Sequence, residues 1–178
     1  MEKALVEFKG LGELSEARLR RLKLMIFDCD GVMTDGRVWV DASGTETKAF
    51  SVIDGHGIWL LRGSGVKVGM ITRDRSGIPA VRAEKLKFDI IHSAIEDKGS
   101  CARRLMATHG LNPEEVGYMG DDLPDLEAFV EVGLKLAPAS ARPEVVEAAD
   151  AVTKADGGHG AVREVCDVII AARREIDS

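Results

Sequence analysis

The chain has 178 residues, of which 45% are hydrophobic and 30% charged, and carries a formal charge of −6. That length fits one domain with a full core, and the balance is that of a folded globular chain rather than a disordered one. The acidic balance, with no basic run to offset it, argues against a nucleic-acid surface, and no apolar stretch approaches the ~20 residues of a membrane span.

Predicted elements alternate between helix and strand. Leu11, Leu14, Leu19 and Leu22 predict an amphipathic helix, so residues 1–21 read as a helical lead-in and 22–178 as the domain. No signal peptide is expected before it. A strand follows over 24–27. Residues 37–40 and 45–50 read as a β-hairpin turning at Ala42-Ser43-Gly44. A helix opens at Asp54 and stops at Gly63 and Gly65. Strands over 66–71, 88–91, 116–119, 134–137 and 151–152 alternate with helices over 77–86, 97–109, 123–130, 143–148 and 162–170. This alternation implies an α/β fold, a Rossmann-like doubly wound and mostly parallel sheet with helices on both faces. Cys29, Cys101 and Cys166 are odd in number and widely spaced. They read as reduced core thiols of a cytoplasmic protein.

The stretch IFDCDGVMTDG, residues 26–36, carries the chemistry. It places Asp28 and Asp30 at the carboxyl end of a buried strand, just before Gly31. Ligands of open α/β sheets bind at that edge. One acid there can attack phosphorus and the other can carry a proton; alternatively, both only cap the next element. Three further strand ends contribute polar groups: Thr72, Lys98, and the run Asp121, Asp122 and Asp125. If the strands are parallel neighbours, a hydroxyl, an ammonium and up to five carboxylates meet at one edge. Clustered carboxylates would repel a phosphate dianion, so a hard divalent cation such as Mg2+ is required with them.

In this order (DCDGV at Asp28, then Thr72, then Lys98, then GDDLPD from Gly120) the motifs resemble those of the haloacid dehalogenase superfamily. The resemblance implies Asp28 as nucleophile, Asp30 as general acid and base, and Thr72 and Lys98 as holders of the phosphoryl oxygens. It also implies Mg2+ bound by Asp28, the Asp30 carbonyl and Asp121. Asp122 and Asp125 belong either to a second layer or, for Asp125, to a helix turn. The short intervals between the motifs leave no room for a cap domain. The 37–50 hairpin is therefore a candidate flap, either reaching a neighbouring subunit or lying as an ordinary surface feature, with Val38, Val40 and Phe50 as its apolar face.

Within the superfamily the chain is similar to the uncapped 3-deoxy-D-manno-octulosonate 8-phosphate phosphatases, through DGVMTDG, KAFSVIDGHGI from Lys48, GDDLPD, and GGHGAVREVCD from Gly157. This likeness implies a phosphorylated sugar acid as substrate, a role in lipopolysaccharide biosynthesis, and a homotetramer with sites completed by adjacent subunits. It implies Ser51, Asp54, Gly55, Arg73, Arg75 and Arg82 as substrate-binding residues beside Asp30 and Lys98. No nucleic-acid or membrane partner is expected. Two departures stand out: Trp59 where such enzymes usually carry an arginine, and Arg73-Asp74 where they carry Gly-Arg. With RAEKLKFD from Arg82, these features look like a branch acting on nine-carbon sugar acid 9-phosphates. Asp74 reads either as a sugar-hydroxyl acceptor or, by preference, as a cap for the helix over 77–86. Trp39 and Trp59 are either interface anchors or, more ordinarily, core residues. Two other classes stay open: a phospho-acceptor signalling domain, against which Asp30 argues, and a non-catalytic oligomerisation module, against which the intact acidic set argues.

Overall fold

The computed structural model describes residues 10–174; the first nine residues of the expected lead-in lie outside them. Six strands form one sheet: β1 (Leu24–Phe27), β4 (Lys67–Ile71), β5 (Ile90–His92), β6 (Val116–Met119), β7 (Leu134–Ala137) and β8 (Ala151–Val152). Their order is β5-β4-β1-β6-β7-β8, and every pairing is parallel. The two remaining strands, β2 (Trp39–Val40) and β3 (Glu46–Thr47), form a separate antiparallel hairpin.

Alternation along β1 explains the two cores. Met25 and Phe27 point to one face, where they pack with residues from α1 (Glu16–Arg21), α2 (Val52–Gly63), α3 (Ile78–Lys85) and α7 (Ala161–Arg174). Leu24 and Ile26 point to the other, against α4 (Lys98–His109), α5 (Asp125–Phe129) and α6 (Pro143–Ala148). All four β1 residues are fully buried, as expected of a central parallel strand covered on both faces. The chain winds outward from β1 to β4 and β5, then returns to β6 on the other side. The order reverses at β1, and the crevice beside its carboxyl end is where a ligand fits.

Several boundaries differ from the sequence reading. The expected 11–22 helix breaks into a 3-10 turn (Leu11–Glu13) and α1, because Leu14 adopts an extended backbone and Ser15 starts α1 afresh. The hairpin ladder is only two residues long on each side, and its tip is held by local bonds, the N–H groups of Ser43 and Thr45 donating to the Asp41 carboxylate. Helix α2 begins before Asp54: Ser51 is its N-cap, its hydroxyl accepting from the Asp54 N–H at 3.2 Å. Among the described residues no cap domain interrupts the strands. The three cysteines are buried and unpaired. Trp39 and Trp59 are exposed rather than packed in the core, at 53% and 62%; Trp59 stacks on His56 on the outer side of α2.

Candidate active site

Each motif residue leaves a strand at the same edge. Asp28 follows β1, Thr72 follows β4, Asp121 lies two residues past β6, and Lys98 opens α4 beyond β5. With Asp30, Arg73 and Asp74 they line a cleft of about 260 Å3. Three of the four are nearly buried: Asp28 at 7%, Thr72 and Lys98 at 2%. The Asp28 N–H still donates to the Met119 carbonyl at 3.0 Å, so the β1–β6 ladder fixes the Asp28 backbone. Gly31 then turns with φ +82, and a Cβ there would collide with the Asp121 carboxylate. Glycine is what lets the two acidic loops approach.

The Lys98 ammonium joins Asp28 to Asp125. Lys98 Nζ lies 3.0 Å from Asp28 Oδ1 and donates to Asp125 Oδ1 at 2.6 Å. Asp125 Oδ1 also accepts from the Tyr118 hydroxyl at 2.8 Å, while its Oδ2 accepts from the backbone N–H groups of Asp121 and Asp122 at 2.9 and 3.1 Å. Asp125 is thus a buried anchor for Lys98 and for the acidic loop, while standing as the first residue of α5. Burial works against the Lys98 charge, but Asp28 and Asp125 hold its pKa above the ordinary lysine value.

The electrostatics favour a bound cation. Burial, then the neighbouring Asp125, pushes the Asp28 carboxyl up to about 7. Burial, then Asp28, pushes Asp121 up to about 8. Oxygens of Asp28, Asp121 and Asp125 lie within 4.8 Å of one another, and Asp121 Oδ1 is buried without a hydrogen-bond partner. Both Asp125 oxygens are already engaged, so Asp28 and Asp121 are the free ligands. Hard carboxylate oxygens around an unsatisfied buried acceptor fit a Mg2+-like ion.

The remaining expected residues divide. Arg73 lines the cleft, and Arg73 and Arg75 both pair with Glu96 at 2.5 Å on the exposed rim. Arg82 stands off the cleft, donating to the Ser51 carbonyl at 3.1 Å and lying over the Phe50 ring. Gly55 packs against Arg82; a Cβ there would meet its guanidinium. Asp54 is buried, accepting from the N–H groups of Gly160 and Arg163 at 3.3 and 2.9 Å, which ties the GGHG loop and the start of α7 to α2. Asp74 does not cap α3, whose N-cap is Gly77; it is engaged by Lys48 and by the Ser76 N–H. Arg163 pairs with Asp167 at 2.8 Å. Lys48 was missed by sequence reasoning. It stands in KAFSVIDGHGI, but no spacing rule links it to Asp30, whose two oxygens accept from its Nζ at 2.8 and 2.7 Å.

A fold wound outward from an acid-tipped central strand, with a lysine shared among acids at its edge, defines a class of hydrolases. The model of the haloacid dehalogenase-like hydrolase family matches residues 73–165. The chain belongs to this family, in its uncapped phosphatase branch. It is 41% identical over 160 residues to the 3-deoxy-D-manno-octulosonate 8-phosphate phosphatase of Yersinia pestis, covering 90% of this chain and 86% of that protein. The crystal structure of the Moraxella catarrhalis phosphatase of that name, in complex with magnesium, phosphate and a KDO molecule, superposes with a TM-score of 0.87 at 35% identity, covering 91% and 93% of the two chains. The cobalt-bound Haemophilus influenzae enzyme superposes at 0.84 and 36% identity, covering 88% and 92%.

Proposed function

We propose that this chain is a Mg2+-dependent phosphatase of a phosphorylated 2-keto-3-deoxy sugar acid, 3-deoxy-D-manno-octulosonate 8-phosphate, working through an aspartyl-phosphate on Asp28. The observation that carries it is the convergence of Asp28, Thr72, Lys98 and Asp121 on one buried cleft, in a chain 41% identical to a phosphatase of that name. Asp28 attacks phosphorus as the bond to the leaving oxygen breaks, and Asp30 gives that oxygen its proton. Asp30 then takes a proton from water, whose oxygen attacks the phosphorus and frees both phosphate and the Asp28 carboxylate. Thr72 and Lys98 hold the phosphoryl oxygens as charge develops. Mg2+, held by Asp28, the Asp30 carbonyl and Asp121, supplies charge neutralisation for the dianion.

Arg73 and Arg75, on the rim, suit the sugar-acid carboxylate, which favours guanidinium partners. Arg82, Ser51 and Gly55 form a patch off this cleft, supported from beneath by Asp54. We place that patch at a site shared with a neighbouring subunit of a cytoplasmic homotetramer. No helix among the described residues is long and apolar enough to cross a membrane. A nine-carbon 9-phosphate is the second reading, favoured by Trp59 and Asp74 standing where octulosonate phosphatases usually carry arginines. Side-by-side kcat/KM values decide between them. The octulosonate ester is expected to lead by at least about tenfold, ~1.4 kcal/mol in transition-state binding. A lead for the nine-carbon ester would replace the substrate, and loss of all phosphate release in Asp28→Asn is the control for the chemistry.

A further inference from the structure

Among the described residues, Lys48 is the one cation bonded to Asp30, the candidate proton carrier. Its side chain is 3% exposed, although it stands on the loop just beyond the β2–β3 hairpin. Nζ bonds both oxygens of Asp30, at 2.8 and 2.7 Å, and also bonds Asp74. Asp74 is itself fixed: its carboxylate accepts from the Ser76 N–H, and its own N–H donates to the Thr72 hydroxyl. Its side chain is 6% exposed, against 37% for Asp30. The Asp74 carbonyl further accepts from the Ala94 N–H at 3.0 Å.

The arrangement is therefore asymmetric. A buried lysine is clamped at one end by a rigid carboxylate and grips at the other a carboxylate that is open to solvent. Apart from Lys48, the Asp30 side chain has, among the described residues, only a long contact from the Thr34 hydroxyl, at 3.4 Å. Without Lys48 the Asp30 side chain would be free to choose among rotamers in solvent. A proton carrier displaced by about 1 Å loses much of its effect.

We propose that Lys48, anchored by Asp74, is a positioning residue that aims the Asp30 carboxyl at the leaving-group oxygen. This rests on the phosphatase reading above. It gives Asp74 a role through Lys48 rather than on the sugar. The proton still travels from Asp30 to the departing oxygen, and Asp30 regains one from water; Lys48 neither gives nor takes it.

The test is leaving-group dependence. Phenyl and p-nitrophenyl phosphate have nearly the same shape, but only phenolate needs a proton to depart readily. For Lys48→Met with Mg2+, kcat/KM on phenyl phosphate is expected to fall by about tenfold or more and on p-nitrophenyl phosphate by less than about threefold. Lys48→Arg should recover part of the loss, and Asp74→Asn, which keeps the lysine, should show the same pattern more weakly. Equal losses on both esters, or no loss, would overturn the proposal, as would Asp74→Asn behaving as wild type. If Lys48→Met does not fold, the Asp74→Asn and Lys48→Arg profiles carry the test. A wild-type protein that releases no phosphate from any ester would remove the phosphatase reading itself, a different outcome from an active wild type indifferent to position 48.

Discussion

Lys98 and Asp125 are joined at 2.6 Å, both side chains nearly inaccessible, and this pair sets the shape of the cleft. Asp125 has four donors, and all four would lose this partner at once if it were truncated: Lys98 Nζ, the Tyr118 hydroxyl and the N–H groups of Asp121 and Asp122. Removing one partner of a buried ion pair costs about 3–5 kcal/mol. Asp125→Ala is therefore expected to lower the melting temperature by about 10 °C in a chain of this size, together with kcat, since Lys98 loses its anchor. A calorimetric scan that moves by less than about 2 °C would show that the network is not structural.

Asp28 and Asp121 set a pH dependence in the metal-free protein. Their carboxyls sit at about 7 and about 8 when folded, but near 4 when unfolded. Between pH 4 and 8 the folded state thus binds more protons than the unfolded one, and stability falls as pH rises. Acids held low by partners, such as Asp74 and Asp89, are already ionised above pH 5 and add no slope there. The melting temperature is expected to drop by several degrees from pH 5 to pH 8 in EDTA. Mg2+ at a hundred times its Kd should restore ~2.7 kcal/mol and flatten the profile. A stability that climbs over this window in EDTA would contradict the electrostatics of the cluster.

Gly157 meets the Asp28–Gly31 turn directly. A Cβ at this position would overlap the Gly31 carbonyl, while Gly158 donates to the Val32 carbonyl at 3.0 Å and the Gly157 N–H to the Ser140 hydroxyl at 3.0 Å. A side chain cannot enter without pushing the Asp28–Gly31 turn aside. Gly157→Ala should reduce kcat by about a hundredfold, as expected of a displaced catalytic turn, with a lower melting temperature. Ala substitution at Gly12, where nothing lies within 4 Å of a Cβ, is the matched control and should leave both unchanged. Near-normal turnover in Gly157→Ala would mean that the GGHG loop does not support the active site.

The hairpin offers Trp39 and Val40 to solvent at 53% and 62% exposure. Large apolar side chains grouped on a flap suit a partner surface. If the homotetramer forms through it, Trp39→Asp should yield a smaller species in analytical ultracentrifugation and lower kcat/KM on the sugar phosphate more than on p-nitrophenyl phosphate. An unchanged sedimentation coefficient would place the subunit contact elsewhere.

Much of the site was legible because its residues sit at strand ends, and strands announce themselves by apolar runs with polar stops. DCDG, Thr72, Lys98 and GDD could be read that way, and parallel winding then brought their ends to one edge. Asp54 and Ser51 could be placed near a helix start, but not sorted. The hydroxyl of Ser51 caps α2, whereas Asp54 reaches across to the GGHG loop, more than a hundred residues away.

The α/β winding, the lack of room for a cap, and the identity of the groups at the sheet edge can all be read along the chain, since these depend on local periodicity and on short intervals between motifs. Only the tertiary structure decided which acid holds Lys98, that Asp74 faces Lys48 rather than capping a helix, and that both tryptophans lie outside the core. The two pairings join residues 27 and 26 positions apart. Side chains so distant meet only after the sheet has closed, and charge and burial, not spacing, then select the partners.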